Sequence, residues 1–187
     1  MAAEREENMV EWLKNAVFYE IYPQTFADTN ADGIGDIEGI IAHLDYIKEL
    51  GCNAIWLNPC FESPFLDAGY DVSDYRKVAP RYGTNEDLKR LFEEIHKRDM
   101  HVMLDLVPGH TSWEHPWFLE SLKPEKNPYS GRYVWADDAW NPFNGVGSIM
   151  GFIRGLSQRN GCVAVNFYSH PPSLNYGFYE INEPGWR

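Results

Sequence analysis

Cysteine is scarce. The 187-residue chain has three, Cys52, Cys60 and Cys162, an odd number without Cys-x-x-Cys spacing. That argues against a disulfide framework or a zinc site and fits a reducing, cytoplasmic setting. Basic charge is also in deficit: 16 Lys and Arg against 28 Asp and Glu leave a net charge of -12. A nucleic-acid partner, which needs clustered cations to displace counterions, is therefore not expected. No apolar run is long enough for a signal segment or a membrane span, and the N-terminal stretch is charged, so no membrane partner is expected either. Internal repeats and low-complexity tracts are missing too. What is present is ample for a core: 44% hydrophobic residues, with 15% aromatic, exclude a disordered chain and leave a neutral or cationic ligand as the natural one.

The most informative stretch is His101-Val-Met-Leu-Asp-Leu-Val-Pro-Gly-His-Thr-Ser112. It is an apolar, strand-like run with Asp105 inside it and His110 just past its end. Parallel strands buried on both faces read as near-continuous apolar runs, so an aspartate within one needs a partner or a task. His110 falls where α/β folds place ligands, beyond the carboxyl end of a strand. The plainer alternative is a strand-end aspartate capping backbone amides beside a surface histidine.

The periodicity switches regularly up to this point. Ala16 to Tyr22 reads as a strand. Ile37, Ile40, Ile41, Leu44 and Ile47 recur at helical spacing, with Gly51 at the expected C-cap. Ala54-Ile-Trp-Leu57 is a short buried strand stopped by Asn58-Pro59. A second helix starts after Thr84, with Leu88, Leu91, Phe92 and Ile95 on one face. This is β-α-β-α-β with parallel strands. Beyond Thr111 the alternation vanishes, apart from an apolar run at Cys162-Val-Ala-Val165. The wealth of Trp, Tyr, Pro, Gly and Asn predicts a compact, irregular subdomain inserted after the third strand.

Two loops carry candidate chemistry. In Asp28-Thr-Asn-Ala-Asp-Gly-Ile-Gly-Asp36, oxygen-bearing side chains alternate at Asp28, Asn30 and Asp32, followed by Asp36. With the Ile34 carbonyl they form a ligand set for one hard cation, calcium first and magnesium second. Three carboxylates so close would repel each other without a positive charge between them. The twelfth position is Gly39 rather than the glutamate of an EF-hand, so this is a calcium-type loop on a different scaffold. An Asx-rich turn leading into the helix is the competing reading. In Ala68-Gly-Tyr-Asp-Val-Ser-Asp-Tyr75, Tyr70 offers an aromatic face and Asp71 a charged acceptor, the combination that recognises a pyranose. Equally, Tyr70 can be a core aromatic and Asp71 an Asx-turn residue.

The order of these pieces resembles the catalytic domain of the α-amylase family, glycoside hydrolase family 13, and most closely its oligosaccharide α-glucosidase and trehalose-synthase branch. The matching segments are Phe18-Tyr-Glu-Ile-Tyr-Pro-Gln-Thr-Phe26, the Asp28 to Asp36 loop, Ala54-Ile-Trp-Leu-Asn-Pro59, Gly69-Tyr-Asp-Val-Ser-Asp-Tyr75 and Asp105-Leu-Val-Pro-Gly-His110. The resemblance implies an α/β chain forming the N-terminal part of a (β/α)8 TIM barrel, with an irregular B domain inserted after the third strand. Residues 1–110 would be the first three β/α units and 111–187 the B-domain insertion, whose end falls near Pro172-Ser-Leu-Asn175. It also implies that Tyr70 stacks on the sugar next to the scissile bond, that Asp71 and His110 hydrogen-bond its hydroxyls, and that Asp105 supports the site from the strand. The Asp28 to Asp36 loop is similar to the branch's metal loop. Gly109 stands where the family usually has asparagine, which argues against a second calcium, and Trp113 replaces a residue that is commonly acidic in the glucosidases.

Family members cleave or transfer α-glucosides with retention, using an aspartate nucleophile after the fourth strand, a glutamate acid/base after the fifth and a further aspartate after the seventh. The sequence contains no Gly-Phe-Arg-x-Asp-like segment. The expectation is a glycosidase acting on α-glucosidic bonds of oligosaccharides, present as an N-terminal part without its catalytic carboxylates and inactive by itself. A non-catalytic carbohydrate-binding or scaffold protein on a degenerate amylase barrel is the alternative, and a small calcium-binding module a third reading. Expected partners are an α-glucoside or malto-oligosaccharide, and other copies of the chain through an exposed barrel edge.

Overall fold

The computed structural model of the protein describes residues 10–137, 151–154, 159, 161–166 and 170–177. Its strands, in chain order, are β1 (Phe18–Ile21), β2 (Ala54–Leu57), β3 (Phe61–Glu62), β4 (Asp74–Val78), β5 (His101–Leu104), β6 (Trp135–Ala136), β7 (Gly151–Arg154) and β8 (Cys162–Val165). The helices are α1 (Pro23–Phe26), α2 (Ile37–Ala42), α3 (Leu44–Glu49), α4 (Asn85–His96) and α5 (Pro116–Ser121). By packing the chain divides into two units, Met1–Cys60 with Val78–Asp105, and Phe61–Lys77 with Leu106–Arg187. Among the described residues no helix is long and apolar enough to cross a membrane.

In the first unit, β1, β2 and β5 form a parallel sheet in that order, with Phe18 opposite Ala54 and Ala54 opposite His101. The connections through α2–α3 and through α4 are the expected β-α-β-α-β crossovers. α4 begins where its sequence says: Thr84 Oγ1 accepts from the Asp87 amide, and the Asp87 carboxylate accepts from the Thr84 amide, a reciprocal capping box. Leu91 and Ile95 on its inner face are fully buried, as are Ile37, Ile40, Leu44 and Ile47. Removing a side chain of this kind, as in Leu91→Ala, opens a cavity worth about 2–5 kcal/mol.

The single helix expected over 37 to 50 is broken at His43, whose backbone (φ -111°, ψ 10°) leaves the helical region. The cause is local. His43 Nδ1 bonds the Gly39 carbonyl at 2.7 Å, while the His43 amide donates to Ile40 at 3.1 Å, so the turn tightens to an i−3 bond. The apolar spacing survives because both pieces keep facing the sheet.

In this chain one face of the sheet is covered and the other is partly exposed. Ile21, Ile55 and Leu57 lie on the covered face. The opposite face bears Phe18, Glu20, Trp56, Met103 and Asp105, by the two-residue alternation of the register, and it leaves Phe18 36% and Met103 41% exposed. Apolar residues on both faces do not distinguish a covered face from an open one.

The second unit holds a two-stranded β3–β4 sheet and an antiparallel sheet ordered β6-β8-β7. β8, the one apolar run legible after Thr111, is buried at all four positions. α5 packs Phe118 against Tyr133 (ring centroids 5.0 Å, edge-on) and Trp135 (6.5 Å), and the Trp135 indole donates to Ser121 Oγ at 3.0 Å. With Val163 these form the unit's core, so the aromatics of this irregular region are largely structural. The segment near Pro172 to Asn175 returns to it: the Leu174 amide donates to Gly109 at 3.0 Å and that of Asn175 to Arg132 at 2.8 Å.

Candidate functional site

Three of the four candidate sugar-binding residues lie in the second unit, and backbone pairing brings them together. The Ser112 amide donates to the Val72 carbonyl at 2.9 Å, which sets the chain after Asp71 beside the chain after His110. The Tyr75 hydroxyl lies 2.7 Å from the Val107 carbonyl and 3.0 Å from that of His110, fastening the same loop. His110, 5% exposed, then reaches across 40 positions of sequence to place Nε2 3.1 Å from the Tyr70 carbonyl. A carbonyl only accepts, so Nε2 carries the proton and Nδ1 is the acceptor of the neutral ring. Burial holds the His110 imidazole below its usual pKa, against the opposing pull of the Tyr70 bond and of Asp67 and Asp71.

Asp71 has no exposed surface. One carboxylate oxygen accepts from Ser63 Oγ (2.7 Å) and the Asp67 amide (3.2 Å), the other from the Leu66 amide (3.0 Å). Two carboxylate oxygens offer about four acceptor positions, so three bonds leave one. The loop so held is strained: Phe65 (φ 59°) and Ala68 (φ 53°) sit in the left-handed region beside Gly69 (φ 96°). Each non-glycine residue there costs about 1–2 kcal/mol, offset here by bonds to one buried carboxylate. Asp67 faces the same cluster. Its own burial, and then the Asp71 charge, push its carboxyl above the usual range while His110 and His170 oppose the shift.

Asp105 belongs to the first unit. Its amide extends the β5 ladder to Leu57 (3.0 Å) and its carboxylate accepts from the Trp56 indole at 3.1 Å, the partner that an aspartate at a strand end requires. Beside it the Asn58 side chain donates to Glu20 at 3.2 Å. Neither Trp56, Ser63, Asp67 nor Tyr75 is marked in the sequence. The only signal available is proximity, since Asp67 lies four residues before Asp71 and Ser63 eight.

The Asp28 to Asp36 loop is organised by its own amides. Asp28 accepts from Asn30, Ala31 and Gly33, Asn30 Oδ1 from the Asp32 amide, and Asp32 from that of Ile34, at 2.8–3.1 Å. The Gly33 amide above all holds the Asp28 carboxyl below its usual range. Asp36 caps α2 by accepting from the Gly39 amide at 2.7 Å, and its other oxygen takes the Thr29 amide and hydroxyl. Burial opposes ionisation of Asp36, but these bonds outweigh it and keep its pKa low. Among the described residues no three His, Cys, Asp or Glu side chains converge as a metal cluster. The all-oxygen donor set suits calcium or magnesium, and oxygens singly bonded to loop amides keep a second lone pair.

Residues 20–149 match the family described as alpha amylase, catalytic domain. The chain belongs to the alpha-amylase family, glycoside hydrolase family 13. An oligo-1,6-glucosidase of Heyndrickxia coagulans is 45% identical over 172 residues, 90% of this chain and 31% of the relative. A trehalose-6-phosphate hydrolase of Bacillus subtilis is 50% identical over 66% of this chain and 22% of its own length. Among solved structures, a MutB mutant in complex with the substrate sucrose (TM-score 0.81, 42% identity) covers 90% of this chain, which spans 31% of it. The isomaltulose synthase SmuA from Protaminobacter rubrum gives 0.80 at 44% identity, with the same two coverages. The chain spans about a third or less of these relatives. As a member of this alpha-amylase family its sheet and crossovers are the N-terminal part of a (β/α)8 barrel.

Burial of two neutral histidines makes stability pH-dependent. His110 and His115 both have pKa values lowered by burial from 6.5. The unfolded chain therefore takes up protons first as pH falls, so their contribution is complete above about pH 6.5 and is lost as pH drops towards their folded pKa values. Asp67, raised from 3.8, has the opposite sign in a lower window, losing its contribution as pH rises through its folded pKa. Thermal unfolding at pH 7.5 and 5.5 should show a lower melting temperature at 5.5, and His110→Gln should shrink the difference. An equal difference in the variant would dissociate His110 from the effect.

Proposed function

We propose that the protein acts, as the N-terminal part of a glycoside hydrolase, on α-glucosidic bonds of short oligosaccharides. Tyr70 stacks on the sugar beside the scissile bond, Asp71 and His110 hydrogen-bond its hydroxyls, and Asp105 braces the strand end. The observation that supports this best is that His110 reaches across 40 positions of sequence to bond the Tyr70 carbonyl, next to the buried Asp71. The relatives' names, an oligo-1,6-glucosidase and a trehalose-6-phosphate hydrolase, support an α-glucoside or malto-oligosaccharide as substrate.

Retaining hydrolysis needs two carboxyl groups about 5 Å apart: a carboxylate that attacks the anomeric carbon, and an acid that protonates the departing oxygen. The groups proposed here bind and orient the glucose ring, and none of them is such a nucleophile. Residues 1–187 alone should therefore show no turnover of nitrophenyl α-glucoside or maltose. Hydrolysis above a heat-inactivated control, removed by a substitution within this chain, would overturn that part of the reading.

In the same proposal Asp28, Asn30, Asp32, the Ile34 carbonyl and Asp36 hold one calcium ion, or magnesium in its place, and the ion's role is to stiffen the connection from β1 to α2. Calorimetry should give one site, and saturating calcium should raise the melting temperature by mass action. Asp32→Ala should abolish both effects. Binding unchanged by that substitution would remove the site. The open edges of the three-stranded sheet, at β1 and β5, support self-association. The free thiols of Cys52, Cys60 and Cys162 support a cytoplasmic setting.

A further inference from the structure

Outside the Tyr70, Asp71 and His110 cluster, the second unit carries a cleft of about 450 Å³ between the β4 segment and the start of α5. Its lining includes Ser73, Asp74 and Tyr75 from the first and His115, Pro116 and Trp117 from the second. A volume of this size is that of a small-molecule site.

His115 sets the chemistry of this cleft. It is only 6% exposed, and its Nδ1 caps α5 by accepting from the Trp117 amide at 3.1 Å. A ring nitrogen that accepts carries no proton, so in the neutral imidazole the proton sits on Nε2. Burial, with Arg132 adding to it and Asp74 opposing it, holds the ring below its usual pKa and so favours that neutral form. Among the described residues nothing accepts from Nε2, so a nearly buried donor is left for a ligand. The same tautomer excludes a metal ion there, because the proton would have to move to Nδ1 and confront the Trp117 amide. Asp74 supplies the complementary acceptor. One of its oxygens takes the Arg76 amide at 2.8 Å, and the other makes no bond among the described residues. The Ser73 hydroxyl donates to the Glu62 carbonyl at 3.0 Å, so towards a ligand it can only accept. The Tyr75 hydroxyl is committed to the Val107 and His110 carbonyls, which leaves its ring, 6.0 Å from that of His115, as an apolar wall with Pro116 and Trp117.

We propose that this cleft binds the hydroxyl rim of a neutral pyranoside, with His115 Nε2 donating and Asp74 accepting, as a second carbohydrate site separate from the one around Asp71. Asp74 is close enough for its charge to act on the His115 ring. Hydroxyls on neighbouring ring carbons both accept and donate, so they satisfy the two groups together, while the C–H face of the sugar meets the aromatic wall. An anion would face the Asp74 carboxylate. A peptide amide points its acceptor and its donor in opposite directions, so it serves one of the two groups at a time. The few contacts available imply dissociation constants on the order of millimolar. The inference goes beyond the proposed function and does not depend on it.

The test is a titration of the full 187-residue chain with maltose, with sorbitol as the ring-free control, read from the His115 ring and Trp117 indole resonances. Maltose should move both saturably and sorbitol should not. Two conservative variants remove the atoms that face the ligand and keep the local fold. His115→Asn retains an oxygen to cap α5 but lacks the Nε2 donor, and Asp74→Asn retains the acceptor for the Arg76 amide but turns the other oxygen into an NH2. Each should weaken the maltose response of the Trp117 signal at least tenfold in chains with native circular dichroism. If His115→Asn fails to fold, Asp74→Asn decides. Affinity retained in the folded variants overturns the proposal, as does the absence of any saturable response in the native chain. A response removed by Asp71→Asn and untouched by Asp74→Asn also overturns it, while leaving the proposed function standing. Saturable binding of N-acetylglycine amide without binding of maltose would assign the cleft to a peptide and overturn the sugar site.

Discussion

Gly39→Ala is expected to destabilise the first unit by more than about 3 kcal/mol, although alanine in a helix interior ordinarily gains about 1 kcal/mol over glycine. A Cβ at Gly39 would stand 2.1 Å from the Ala27 carbonyl oxygen and 2.8 Å from the Ala27 Cβ. Neither neighbour is free to give way. The Ala27 carbonyl accepts from the Asp36 amide at 2.9 Å, and the Gly35 amide donates to Gln24 at 2.8 Å, so α2 starts in direct backbone contact with α1. Inserting one carbon into a packed core costs about 1–3 kcal/mol when side chains can move. Here only backbone can move, so the cost should exceed the top of that range. Denaturant unfolding measures it, with Gly51→Ala as control. Gly51 (φ 89°) has nothing within 4 Å of a built Cβ and should lose only about 1 kcal/mol, through backbone strain. Equal costs at the two glycines would mean that α1 and α2 are not in the contact seen here.

This contact also shows what sequence could and could not reveal. Local rules placed β2 at Ala54–Leu57 and the start of α4 at Thr84, and marked the apolar run that forms the buried β8, because an apolar run and an N-cap residue each act within a few residues. Gly35 and Gly39 looked like parts of a loop and a helix, since the carbonyls they accommodate come from Pro23 and Ala27. The break at His43 leaves no mark in the sequence because the apolar spacing runs straight through it. α5, β6 and the β3–β4 pair are too short to show a period. The candidate site divides the same way. Tyr70, Asp71 and His110 were legible because residue type and position after a strand suggest a role. Ser63 and the left-handed Phe65 and Ala68 were not, since a buried aspartate several residues later dictates their conformation. Nor does sequence show that Phe61–Lys77 packs with the residues after Asp105.

Asp71→Asn is the substitution that separates binding from scaffolding. It keeps the shape of a fully buried side chain but replaces one acceptor oxygen with an NH2 facing a group that also donates, the Leu66 amide or the Ser63 hydroxyl and Asp67 amide. A mismatch of that kind costs about 1–3 kcal/mol, so stability should fall within that range. If the carboxylate also uses its remaining lone pair on a glucose hydroxyl, as proposed, a complete enzyme carrying this sequence should lose more. A charged hydrogen bond of about 3 kcal/mol to the transition state corresponds to a loss on the order of 10²-fold in kcat/KM, measured well below the melting temperature. Ser63→Ala is the comparison, since it removes one anchor of the loop and leaves the carboxylate in place. Its expected cost is about 1 kcal/mol of stability with kcat/KM reduced only a few-fold. Should Ser63→Ala impair turnover as severely as Asp71→Asn, Asp71 would be a positioning residue that shapes the strained loop and aims Tyr70, and the sugar would find its charged partner elsewhere.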